Sequence, residues 1–200
     1  MKKLYLASSS PRRSEVLGIM GIPHTVMTAP ADESVDTVLT PKEAGEILAA
    51  RKAVALKNAL TEKGEFDSET MILAADTLVY LDGEPLGKPK DESDALEMLL
   101  ALSGRDHLVC TGTCLLKGNR SISASEVSVV RMRPFSREEA IAYIATGEPL
   151  DKAGSYGIQG KGAVLVDNVD GDFFSIMGLS PKTVSKLLAA LGTNYFDYIK

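Results

Sequence analysis

Met71-Ile72-Leu73-Ala74-Ala75 is a continuous apolar run that stops at Asp76-Thr77. Without polar alternation, such a run suits a central strand buried on both faces of a sheet. Read this way, the strand ends at Asp76. An acidic side chain at the C-terminal end of a central strand lies where α/β proteins place their ligands. Asp76 can hold Mg²⁺ or orient a water there, or it can be a plain turn cap. Residues 78–81, the turn Asp82-Gly83 and residues 84–86 then read as a hairpin.

Working outward toward the N-terminus, residues 4–7 form a short buried strand that runs into Ser8-Ser9-Ser10-Pro11. Ser10 suits a helix cap and Pro11 the first helical position, so residues 12–20 are helical until Gly21 stops them. Residues 26–29 make a second strand. Thr40-Pro41-Lys42-Glu43 is a capping box and opens an Ala-rich helix to about Leu60. Toward the C-terminus, residues 91–102 are an amphipathic helix closed by Ser103-Gly104. Two β segments follow, 108–117 and 121–132, joined at Gly118-Asn119. Ser136 and Glu139 make another capping box, with Gly147 stopping that helix after Thr146. Residues 151–162 are Gly-rich. Residues 164–169, Asp170-Gly171 and 173–177 read as a hairpin, and 181–191 as the last helix. Helices interleaved with hairpin strands are the pattern of an α/β fold with a mixed sheet, not of a doubly wound parallel one.

The 200 residues suit one domain, residues 1–200, or two small lobes around a cleft. The formal net charge of −5 disfavours nucleic-acid binding, which rests on many Lys and Arg contacts. An anionic ligand therefore has to be met by a local basic cluster or by metal ions. Cys110 and Cys114 are four apart in an apolar run, too far along a strand for a disulfide, and read as small buried hydrophobes. His24 and His107 stand alone and receive no catalytic role. The basic start, Met1-Lys2-Lys3, precedes too short an apolar run for a signal peptide, and no stretch approaches a membrane span. The expected setting is the cytoplasm, with no membrane partner.

Four stretches can carry chemistry. In the first, the hydroxyls of Ser8 and Ser10 face the N-terminus of the first helix, and Arg12 and Arg13 set guanidinium groups beside it. Helix N-termini bind anions and guanidinium groups suit phosphate; the alternative is a helix cap with two solvated arginines. The second is Asp76-Thr77. In the third, Gly87-Lys88-Pro89, the proline holds Lys88 on an extended loop, either facing phosphate or as a surface lysine. The fourth runs from Glu148 to Gly162 and contains Asp151-Lys152-Ala153-Gly154-Ser155-Tyr156-Gly157-Ile158-Gln159-Gly160. Its glycines fit neither a P-loop nor a dinucleotide fingerprint. The Gln159 amide can donate to a base O4 and accept from N3–H, the pattern of uracil and thymine.

In this order, Ala7-Ser8-Ser9-Ser10-Pro11-Arg12-Arg13, Ala75-Asp76-Thr77, Gly87-Lys88-Pro89 and the segment 151–160 resemble the Maf family of nucleotide pyrophosphatases, also called septum formation inhibitor proteins. The resemblance spans nearly the whole chain. It implies an elongated, bent mixed sheet flanked by helices, with a deep cleft between two lobes, as in inosine triphosphatase-like proteins. It implies a homodimer that cleaves nucleoside triphosphates between the α and β phosphates with Mg²⁺ or Mn²⁺. Tyr156-Gly157-Ile158-Gln159-Gly160 resembles the branch acting on dTTP and UTP, whereas the 7-methyl-GTP branch differs there. Position by position, Asp76 matches the catalytic acid/base, and Arg12, Thr77 and Gln159 match positions linked to substrate choice. Glu33, Lys52 and Lys88 match other cleft positions. Two departures stand out: Arg51 replaces the usual Glu before Lys52, and Gly178-Leu179-Ser180-Pro181 replaces Gly-Leu-Pro.

On that basis Arg12, Arg13, Lys52 and Lys88 neutralise the triphosphate, and Glu33 and Asp76 hold the metal. Asp76 either takes the proton of the attacking water or orients it. The rival expectation is a non-catalytic nucleotide sensor that binds a cell-division protein and regulates septum formation.

Overall fold

The strand that begins at Met71 does not end at Asp76. In the computed structural model, which describes residues 3–34 and 39–199, it continues as Met71–Leu81. Neither Asp76 nor Thr77 forces a turn, so the backbone stays extended while the side chains change from fully buried to partly exposed at 76–78. Asp76 therefore stands in mid-strand, not at a strand end.

Among the described residues this strand, β3, belongs to a mixed seven-stranded sheet with β1 (Leu4–Leu6), β2 (Thr25–Val26), β4 (Glu84–Leu86), β5 (Asp106–Lys117), β6 (Arg120–Met132) and β7 (Val166–Asp170). The order is β2-β1-β3-β5-β6-β7, with β4 paired to β3. β1 pairs parallel with both β2 and β3, while β3–β4 and β6–β7 are antiparallel. The expected turns at Asp82-Gly83 and Gly118-Asn119 are present, with positive φ at Asp82, Gly83 and Gly118. The helices are α1 (Pro11–Ile19), α2 (Pro41–Glu62), α3 (Glu92–Leu102), α4 (Arg137–Ile144), α5 (Phe173–Met177), α6 (Pro181–Ala190) and α7 (Tyr195–Tyr198). Among the described residues no helix is long and apolar enough to cross a membrane. Met1 and Lys2, part of the basic start, lie outside the described residues.

The chain forms two compact units, the first made of Met1–Asp76, Thr111–Glu126 and Gly178–Lys200, the second of Thr77–Cys110 and Val127–Met177. In the first unit α2 covers the sheet. Its Thr40–Glu43 capping box is complete: Glu43 N–H donates to the Thr40 hydroxyl at 3.3 Å, and the Glu43 carboxylate receives Thr40 N–H at 2.9 Å. Ala49, Ala53, Leu56 and Leu60 then pack on Tyr5, Ile72, Ala74 and Cys114. Small residues on this face let the helix approach closely, and Gly45 meets Gly112 of β5 backbone to backbone. Both cysteines are buried and neither is in a disulfide.

In the second unit α3 and α4 bury Leu99, Leu102, Ala140 and Ile144 with Val79, Val109, Val130 and Met132 of the strands. The Ser136–Glu139 capping box is also complete. Residues 173–177, expected as the second arm of a hairpin, form α5 instead. The Asp172 carboxylate accepts N–H bonds from Phe174 at 2.9 Å and Ser175 at 3.3 Å, which starts a helical turn. Nor is 181–191 the last helix, since α7 follows it, capped by the Asn194 side chain accepting from Phe196 N–H at 2.9 Å.

His107 is buried, its ring set edge-on to Tyr156 with centroids 5.3 Å apart. Its Nε2 is 2.8 Å from the Tyr156 hydroxyl, and its buried Nδ1 has no hydrogen-bond partner among the described residues. Burial lowers the imidazole pKa to about 4, with neighbouring Asp106 opposing the shift. The unfolded chain takes up a proton near pH 6.5, whereas the folded chain refuses it until about pH 4. The stability from this neutral ring is complete above the unfolded pKa and is lost as pH falls through that window. We expect His107→Phe to remove on the order of 3 kcal/mol of the stability loss between pH 7 and pH 4. Urea midpoints of both proteins across that range check this; parallel pH profiles would contradict it.

Candidate functional site

In the first unit, β1 delivers the chain into α1, and Pro11 occupies the first helical position after Ser10. Ser10 is the N-cap residue by position, yet its side chain makes no cap bond. Its N–H donates to the Ser8 hydroxyl oxygen at 3.2 Å instead. Arg13 donates to the same oxygen at 2.8 Å and, through Nε, to the Gly178 carbonyl at 2.9 Å. Ser8 is therefore an internal anchor that fixes Arg13. Burial lowers the Arg13 pKa, Asp76 and Glu33 counter it, and Arg12 adds to the lowering. A guanidinium nevertheless stays charged, and the three charge effects put Arg12, Glu33 and Asp76 within electrostatic reach of Arg13.

Lys52 joins the two carboxylates. Its ammonium on α2 pairs with Glu33 Oε1 at 2.9 Å and with Asp76 Oδ1 on β3. The Lys52 and Asp76 side chains are 19% and 14% exposed, so their pairing is shielded, whereas Glu33 at 69% stands in solvent. Arg51, the departure noted above, binds the strip that carries Glu33. It donates to the Ser34 carbonyl and lies 3.4 Å from Asp32 Oδ2. Two consecutive α2 cations thus hold residues 32–34, an arrangement that sequence reading missed; the positive charge at 51, out of pattern, was its only signal.

No group of three or more His, Cys, Asp or Glu side chains that could hold a metal occurs among the described residues. Glu33 and Asp76 nevertheless present carboxylate oxygens to a single cationic position, now filled by the Lys52 ammonium. Hard oxygen donors of this kind suit Mg²⁺ or Mn²⁺, and Mg²⁺ commonly takes one or two carboxylates and completes its shell with substrate phosphates and water. The donor set fits such an ion.

The second unit carries Thr77, Lys88 and Gln159. Thr77 is partly exposed on β3, and Lys88 is exposed on the loop after β4. That loop is tied to the Gly-rich segment, because Gly154 N–H donates to the Gly87 carbonyl at 3.0 Å. Gly154, at φ +69, also packs on Val79, where an added Cβ would lie 3.1 Å from the valine methyl. Ser155 beside it is buried at φ 58, a conformation uncommon outside glycine. The Gly-rich segment is thus no slack loop. It is three short 3-10 turns, Glu148–Asp151, Ala153–Ser155 and Gly160–Leu165, with partly exposed Gln159 at the start of the third.

Comparison with known proteins supplies the identity. A dTTP/UTP pyrophosphatase from Symbiobacterium thermophilum is 44% identical over 196 residues, covering 98% of this chain and 97% of that protein. One from Moorella thermoacetica is 43% identical over 202 residues, all of both chains. One from Bacillus velezensis is 42% identical over 190 residues, 95% of each. The family profile described as Maf-like protein matches residues 3–191, and the chain belongs to that family.

Proposed function

We propose that this chain is a nucleoside triphosphate pyrophosphatase that hydrolyses dTTP and UTP to the monophosphate and pyrophosphate. The observation that carries the reading is the meeting of Glu33 and Asp76 on one ammonium, within reach of Arg13. Relatives of matching length that are named dTTP/UTP pyrophosphatases support the substrate. The proposal extends to one such domain over residues 1–200, a cytoplasmic setting, a homodimer and contact with a cell-division protein.

In this mechanism Arg12, Arg13, Lys52 and Lys88 offset the triphosphate charge, with Arg13 held ready by the Ser8 hydroxyl and the Gly178 carbonyl. Ser8 and Ser10 line the phosphate-binding turn, and Ser8 also positions Arg13. Glu33 and Asp76 would hold the divalent ion, which when bound supplies charge stabilisation for the leaving pyrophosphate. Asp76 holds the attacking water in line with the scissile α–β bridge and receives or directs its proton. That water adds to the α phosphorus as the bond to the bridging oxygen breaks, releasing pyrophosphate. Gln159 reads O4 and N3–H of the pyrimidine, and Thr77 supports that choice.

A pyrophosphate-release assay over dTTP, UTP, GTP and 7-methyl-GTP, with Mg²⁺ or Mn²⁺, tests the reading. We expect dTTP and UTP to be preferred, and Gln159→Ala to lower the dTTP to GTP ratio of kcat/KM by about tenfold or more. An unchanged ratio refutes the Gln159 assignment. Tight nucleotide binding without pyrophosphate release would favour the sensor over the enzyme.

A further inference from the structure

The backbone on either side of Gln159 is held by two side chains that bear on nothing else in the proposed mechanism. Tyr143, the penultimate residue of α4, donates its hydroxyl to Glu148 Oε1 at 2.9 Å and accepts Gly157 N–H at 3.0 Å. The Glu148 carboxylate accepts Gly162 N–H at 2.9 Å on Oε1 and Lys161 N–H at 3.0 Å on Oε2. Lys152 closes the base of the arrangement by donating to the Glu148 carbonyl and to Asp151 Oδ1 at 2.7 Å. Amides 157, 161 and 162 bracket Gln159, so one carboxylate and one phenol fix its main chain from both sides.

The glycines show how tightly the backbone wraps this pair. A Cβ on Gly160 would sit 2.7 Å from Glu148 Oε2, and one on Gly162 would sit 2.5 Å from the Tyr143 hydroxyl. Gly160 also has φ +86, which a side chain would strain. Burial works against the charged Glu148 carboxylate, yet the Lys161 and Gly162 N–H groups, the Tyr143 hydroxyl and Lys152 hold its pKa below the ordinary range. Burial raises the Tyr143 pKa, so the phenol remains a donor. Charge-assisted bonds from a carboxylate to backbone N–H groups are about twice as strong as neutral ones.

We propose that Tyr143 and Glu148 form a clamp that holds residues 157–162 in the conformation presenting Gln159, which makes both of them positioning residues for pyrimidine selection. The selectivity role rests on the reading of Gln159 as the base contact; the clamp itself does not. Loosening it lets Gln159 sample other directions. Discrimination between bases falls, while the phosphate-binding set of the first unit is untouched.

The test uses the full chain and the variants Tyr143→Phe, Glu148→Gln, Glu148→Ala and Gln159→Ala, singly and with Glu148→Ala added to Gln159→Ala. Tyr143→Phe keeps the buried ring and so preserves folding if Glu148→Ala does not. Two readouts are taken: amide hydrogen exchange over residues 157–162, and kcat and KM for dTTP and GTP. Glu148→Ala and Tyr143→Phe are expected to speed exchange of that segment about tenfold or more. KM for dTTP should rise about tenfold with kcat within about threefold, and GTP turnover should stay the same. Glu148→Gln, which keeps one acceptor oxygen, should fall between. On the Gln159→Ala background, Glu148→Ala should not change the dTTP to GTP ratio further, a result that a merely structural residue would not give. Unchanged exchange in Glu148→Ala overturns the clamp. Faster exchange with the selectivity of the native protein overturns its positioning role, provided that Gln159→Ala lowers the ratio. If Gln159→Ala leaves the ratio unchanged, the base-contact reading fails and the selectivity role fails with it, while the exchange data still decide the clamp.

Discussion

Replacing Asp76 with asparagine is expected to reduce kcat for dTTP by about a thousandfold or more, because it removes the group assigned both to the water and to the metal. The substitution is nearly isosteric, and its amide oxygen can still accept from Lys52. The fold should therefore lose only about 1 kcal/mol. Lys52 would keep its pairing with Glu33, 2.9 Å away. With one carboxylate fewer beside Arg13 and Lys52, the affinity for a triphosphate should hold or increase. The signature is thus a collapse of kcat at preserved or lowered KM, measured by pyrophosphate release alongside a thermal melt. Near-normal turnover in a folded Asp76→Asn protein would sink the catalytic assignment. A melt lowered by tens of degrees would show that Asp76 serves the fold instead.

What the sequence revealed follows from how local each signal is. The capping boxes at Thr40–Glu43 and Ser136–Glu139 and the turns at Asp82-Gly83 and Gly118-Asn119 are settled within four residues, and each lies where it was expected. β3 was cut short because hydrophobicity reports burial, and burial relaxes at Asp76 while the strand does not end there. α5 resembles a strand in sequence because five mostly apolar residues carry no period; its one distinguishing mark is the Asp172 cap. The site was less legible than the fold. Glu33, Lys52 and Asp76 lie far apart in sequence, and no pattern of spacing brings them to one ammonium. Glu33 and Lys52 are legible only through resemblance to a family, whereas Asp76 also stands out as the acid that closes an apolar run. That Arg13 donates to the Ser8 oxygen is equally illegible in the sequence, because no local pattern fixes where a long guanidinium side chain turns. The Tyr143–Glu148 pair has no motif of its own, and the glycines at 157, 160 and 162 are its trace.

The second large effect concerns folding, and it is a sign reversal between two identical substitutions. Gly112 lies in β5 beneath α2, and a Cβ there would stand 2.0 Å from the Gly45 carbonyl carbon and 2.5 Å from the Glu46 nitrogen. Both obstacles are backbone, so no rotamer change can relieve the overlap, and Gly45 has no side chain left to give up. The helix must move off the sheet, opening gaps along Ala49, Ala53 and Leu56, which pack there. Overpacking a close-packed contact in this way should cost about 3 kcal/mol, or a melting temperature lower by about 6–12 °C for a chain of this size. Gly18, exposed on α1, has nothing within 4 Å of its added Cβ, and Gly18→Ala should raise the melting temperature by about 2 °C through helix propensity alone. The displaced helix also carries Lys52, seven residues beyond Gly45, so Gly112→Ala should raise KM for dTTP even at temperatures where it stays folded. Gly18→Ala should leave KM alone. Equal melting temperatures for Gly112→Ala and the native protein would mean that α2 does not approach the sheet as closely as this contact requires.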